Sequence, residues 1–68
     1  MVLRNIEAER GRNGLSKEAL SKQLGITAKT YNGYINGTPI PSTILVKMSE
    51  LFECSLDYLM ELTDKRQI

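Results

Sequence analysis

The sequence predicts an all-α protein, one compact domain of five short helices. Three observations lead there. The chain has 68 residues, enough for one domain and no more. Apolar residues recur at helical spacing, most clearly Ile44, Met48, Leu51 and Phe52 at i, i+4, i+7 and i+8, and no stretch alternates with the period of a strand. Hydroxyl residues suited to helix starts (Ser16, Thr27, Ser42, Ser55) interleave with helix-ending glycines and prolines (Gly11, Gly25, Gly37, Pro39, Pro41).

Taken in order, Val2 to Arg10 reads as the first helix, with Leu3, Ile6 and Arg10 on one face, and Gly11, Asn13 and Gly14 end it. Ser16 caps the second helix. Glu18 sits in its first turn, where an acid suits the helix dipole, and Leu20 and Leu24 share its inner side. Gly25 closes it. Thr27 caps a third helix, Ala28 to Asn36, with Tyr31, Tyr34 and Ile35 facing inward. Thr38-Pro39-Ile40-Pro41 cannot be helical, because proline removes a donor and restricts the residue before it. Ser42 caps the fourth helix and Ser55 the fifth, which carries Leu56, Leu59, Met60 and Leu62. Residues 1–68 form a single domain, and residues 64–68 are expected to fray.

Composition narrows the possible functions. Hydrophobic residues make up 41% and charged residues 25%, ordinary globular values. No run is long enough for a membrane span and no signal-peptide pattern opens the chain, so the expected location is cytoplasmic. There is no histidine, and the one cysteine, Cys54, lies between Phe52 and Leu56 and reads as a core thiol. Zinc sites of the usual types and histidine-based catalysis are excluded, and no phosphate-binding glycine loop occurs. A chain this short is poorly placed to enclose a substrate pocket of about 300 Å³ or more. The expectation is no enzyme, no metal, no cofactor and no small-molecule ligand. The net charge is only +1. Yet residues 1–49 hold seven basic side chains against three acidic, and residues 50–68 hold two against five. Such a dipole suits a polyanionic partner at one end, though two solvated faces would look the same.

The most informative run is Leu20 to Leu24, then Gly25 and Ile26, then a second capped helix. Two short helices joined by a tight glycine turn with an apolar residue beyond it form a helix-turn-helix, here Lys17 to Asn36. Left on the outside of its second helix are Ala28, Lys29, Asn32 and Gly33, small or polar as a groove-entering surface requires. The run from Leu15 to Thr27 resembles the helix-turn-helix of the Cro and lambda-repressor-like (XRE) family. Asn36-Gly37, Pro41-Ser42 and Cys54 to Leu59 are similar to that family too, so the resemblance spans Leu3 to Met60.

The resemblance implies a five-helix lambda-repressor-like domain that binds double-stranded DNA operators, typically as a homodimer, in regulators of bacteria and their phages. A repressor is the expected role. Position by position, it puts Ala28, Lys29, Asn32 and Gly33 at base edges. Asn32 would pair with adenine N6 and N7, and Ala28 would meet a thymine methyl. Lys29 would donate to guanine O6 or N7, or touch phosphate alone. Ser16, Lys17, Thr27, Thr30 and Thr38 would approach phosphate, with Arg10 and Arg12 reaching flanking ones. Gly33 either permits close approach to DNA or relieves packing. Tyr31 and Tyr34 fall on core positions. Met60, Leu62 and Ile68 are candidates for a dimer interface, or scattered apolar residues near a chain end.

Two departures from the family pattern stand out. Ile35 replaces a common glutamate that pairs with an arginine of the first helix, which leaves Arg10 without that partner, free for phosphate or to pair elsewhere. Ser21 replaces a common alanine and fits if its hydroxyl bonds back along the helix. The recognition surface is poor in long polar side chains, which shifts specificity toward dimer spacing and DNA shape. The alternative reading is an antitoxin-like module on the same fold whose main ligand is a protein.

Overall fold

The computed structural model describes residues 3–66. It consists of α1 (Arg4–Arg12), α2 (Lys17–Leu24), α3 (Ala28–Ile35), α4 (Ser42–Phe52) and α5 (Leu56–Leu59). There is no strand among the described residues. The radius of gyration, 10.7 Å, is close to the roughly 11 Å expected of a folded chain this long. The predicted fold class therefore stands.

Three of the four expected caps form. The hydroxyls of Ser16, Thr27 and Ser55 accept the backbone N–H of Ala19, Thr30 and Tyr58 at 3.0, 3.1 and 3.1 Å. Each satisfies one of the donors a helix start leaves without a partner. Ser42 does not cap α4. Pro41 takes the cap position in an extended conformation, its carbonyl accepts from Ile44 and Leu45, and Ser42 becomes the first helical residue. α3 ends at Ile35, with Asn36 as its C-cap.

α1 departs most from its predicted bounds. Val2, the predicted start, lies outside the described residues. At the other end the helix runs through Gly11, two residues past the predicted stop. Asn13 ends it, its backbone and side-chain N–H groups both donating to the Glu9 carbonyl at 3.0 and 2.8 Å. No side chain at Leu3 caps the start. The carboxylate of Glu61 does so from the other end of the chain, accepting from the backbone N–H of Arg4 (2.7 Å) and Asn5 (3.3 Å). Glu61 sits in the left-handed region (φ +63°), which ends α5 before Leu62.

The core draws on every helix. Leu3 and Ile6 meet Leu20 and Leu24, then Tyr31, Tyr34 and Ile35, closed over by Ile44, Met48 and Phe52 and by Cys54, Tyr58 and Leu59. Cys54 is buried as expected, and burial pushes its thiol pKa up. Ser21 is buried and donates to the Lys17 carbonyl at 2.7 Å, the back-bond that lets a hydroxyl stand at an alanine-like position.

One buried group has no counterpart among the sequence expectations. Glu9 is fully buried. Arg66 grips its carboxylate with two bonds, Nε to Oε2 at 2.9 Å and Nη2 to Oε1 at 2.8 Å, and also donates to the Phe52 carbonyl. The Tyr58 hydroxyl adds a bond at 3.2 Å and Arg12 lies 3.7 Å away. Arg66 belongs to the segment expected to fray, and its carbonyl also accepts from the Ser55 N–H. A carboxylate removed from water needs such partners, and only the fold reveals that it has them.

The turn between α2 and α3 rests on Gly25 at φ +75°, ψ +28°. Its N–H bonds to the Lys22 carbonyl (3.2 Å) and the Ile26 N–H to the Ser21 carbonyl (2.9 Å), and Ile26 packs against the core.

Two outcomes are expected. Gly25→Ala loses about 1–2 kcal/mol in denaturant unfolding, from left-handed strain alone, since a Cβ there meets nothing within 4 Å. For the clamp, the Arg66 hydrogen bonds chiefly hold the Glu9 carboxyl below its ordinary 4.5. A lowered carboxyl adds stability that is full above 4.5 and is lost as pH falls through the folded value. Arg66→Met thus melts below the parent at neutral pH, and the gap closes in acid as Glu9 protonates. A gap independent of pH would rule out the ion pair as its source.

Candidate nucleic-acid interface

Ser16 and Thr27 start α2 and α3 on either side of the Gly25 turn, and both hydroxyls are exposed at the helix ends they cap. The outward side of α3 carries Lys29 and Asn32, both exposed, flanked by Ala28, Thr30 and Gly33, which are half-buried. Tyr31, Tyr34 and Ile35 turn inward as expected. Thr30 receives a bond from the Thr27 hydroxyl at 3.0 Å, so these two predicted phosphate contacts lie side by side.

Lys17 and Asn32 also meet. From the first residue of α2, Nζ of Lys17 donates to Oδ1 of Asn32 at 3.0 Å. One was predicted to touch phosphate and the other a base, and nothing in their spacing along the chain announced the contact. Both backbones are fixed nearby. The Lys17 carbonyl takes the Ser21 hydroxyl, and the Asn32 carbonyl takes the Asn36 side-chain amide at 2.9 Å.

Gly33 lies close to the loop that follows α3. A Cβ on it would stand 3.3 Å from Thr38 Oγ1, and the Thr38 N–H donates to the Gly33 carbonyl at 2.9 Å. That bond folds the loop after α3 back on the helix and sets the exposed Thr38 beside Gly33.

Arg10 finds a partner on its own helix. With Ile35 in place of an acid, its guanidinium turns to Glu7 on its own helix, at 2.9 and 3.3 Å, and to the Leu15 carbonyl at 2.7 Å. Glu7 also accepts the Tyr31 hydroxyl at 2.5 Å. Arg10 holds its carboxyl below the ordinary range, helped by Tyr31 and the charge of Lys17, against the opposing effect of partial burial. Burial, with Glu7 beside it, pushes the Tyr31 phenol well up. Arg10 thus ties α1 to the loop before α2 and, through Glu7 and Tyr31, to α3. Arg12 is more than half exposed at the end of α1.

Of the proposed dimer residues, Met60 packs on the core, Leu62 is 75% exposed, and Ile68 lies outside the described residues. Val46 and Leu56 are also exposed.

A helix-turn-helix family profile matches residues 6–59. The chain belongs to the Cro/C1-type (XRE) helix-turn-helix family. It is a DNA-binding helix-turn-helix regulator, and its five helices fit the lambda-repressor-like fold. No curated protein matches the chain at a significant level. No helix among the described residues is long and apolar enough to cross a membrane.

One substitution tests the packing at Gly33. Alanine is about 1 kcal/mol better than glycine inside a helix, and the atom it crowds is the tip of an exposed side chain. Gly33→Ala should therefore raise the denaturant midpoint slightly. A lower midpoint would show that Thr38 cannot yield.

Proposed function

We propose that this member of the XRE family is a sequence-specific repressor of bacterial or phage origin, acting in the cytoplasm as a homodimer on an operator. The observation that carries the reading is the outer face of α3. Lys29 and Asn32 project from a helix whose inner residues are locked in the core, with small residues beside them. A rigid helix with a low, polar outer face enters the major groove without steric conflict. In this reading Ala28, Lys29, Asn32 and Gly33 face base edges. Ser16, Thr27, Thr30 and Thr38 face phosphates, Arg12 reaches a flanking one, and Lys17 keeps N–H groups for phosphate besides the one on Asn32. Leu62, with Met60, supplies apolar surface for a second copy, since one module this small reads few base pairs.

Selection from a random duplex library at moderate salt tests this. The expected product is a palindrome whose half-sites lie about 34 Å apart, one helical turn, with affinity falling steeply as salt rises. A single short site would remove the dimer. No enrichment, with binding only in the non-specific range of roughly 10⁻⁴–10⁻⁶ M, would favour a protein ligand instead.

A further inference from the structure

We infer that Lys17 decides which base Asn32 reads, turning an adenine-reading side chain into one that selects guanine. The inference rests on the proposed placement of α3 in the major groove.

A lone asparagine facing a base pair suits adenine. Its Oδ1 accepts from N6 and its Nδ2 donates to N7. Here Oδ1 is engaged by the Lys17 ammonium at 3.0 Å. Lysine donates and never accepts, so Oδ1 and not Nδ2 must face it, and the orientation of the amide is fixed by chemistry. With Oδ1 engaged, the amide keeps two N–H donors and the ammonium two more, so the pair has mainly donors left to offer. Bonded to a cation, Oδ1 is a poorer acceptor for the amino hydrogens of adenine N6, which also meet the positive charge of the ammonium. Guanine offers O6 and N7, two adjacent acceptors, to this donor-rich pair.

The pair is also held from behind. Ser21 fixes the Lys17 carbonyl, Asn36 fixes the Asn32 carbonyl, and the Glu7 carboxylate lies close enough to Lys17 to be stabilised by its charge. Glu7 is itself kept in place by Arg10 and Tyr31. Lys17 thus both orients Asn32 and brings a donor of its own, and its effect appears in sequence preference.

The test is duplex selection with four proteins: the parent, Asn32→Ala, Lys17→Met and Lys17→Arg. Asn32→Ala identifies the base pair, as the one whose preference it erases. At that pair the parent should enrich guanine. Lys17→Met keeps the length but has no donor, and should raise the adenine-to-guanine ratio about tenfold or more, within the range one bidentate contact supplies. Lys17→Arg restores a donor and should keep guanine. Adenine in the parent, or a Lys17→Met protein that binds every sequence more weakly with an unchanged ratio, overturns the inference and leaves the DNA reading intact. No enriched sequence with the parent overturns both. Thermal unfolding of each variant separates a loss of fold from a change of preference.

Discussion

At Gly25 the backbone turns left-handed, and the Ser21 carbonyl receives the Ile26 N–H across the turn. That local closure sets the angle at which α3 leaves α2. The angle in turn brings the first residue of one helix within bonding distance of the fifth residue of the next, the Lys17–Asn32 contact. Ser16 and Thr27 cap the two helices on either side and keep their first turns from unwinding. The outer face of α3 is therefore oriented largely by backbone geometry.

A domain of this size has little apolar surface to bury, only about 60% of what its unfolded chain exposes. Part of the remaining cohesion comes from two carboxylates on α1. Each accepts a hydroxyl from a tyrosine whose ring lies in the core: Glu7 from Tyr31 on α3, Glu9 from Tyr58 on α5. Each is also paired with an arginine, Arg10 and Arg66 respectively. The aromatic rings supply buried area and their polar tips supply direction. Such pairs fix how α1 sits on its neighbours, which apolar contacts specify less sharply.

Much of the fold was legible because its signals are local. A serine or threonine before an apolar run, a glycine after it and a four-residue apolar rhythm need no knowledge of the rest of the chain. Ser16, Gly25, Thr27 and Ser55 were read on those grounds. Ser42 was misread because Pro41, one residue earlier, already presents the extended conformation a cap needs. What escaped the sequence was contact between distant residues. Glu9 looked like any helical surface acid, and nothing linked it to Arg66. Arg10 was read through a partner it lacks, while Glu7, three residues before it, met the need. A pairing at i, i+3 was available as a clue. For Lys17 and Asn32 there was none, since their approach depends on the turn between them.

The Glu61 and Arg66 contacts also bear on how the chain is made. The first helix receives its cap from a residue 57 positions later, and its buried carboxylate receives its counter-charge from one equally far away. Synthesis runs from the other end. Until Glu61 and Arg66 have been added, α1 lacks both the carboxylate that caps its first N–H groups and the guanidinium that pairs its buried acid. The full set of contacts that α1 makes in the folded domain therefore exists only once residues 61–66 are in place.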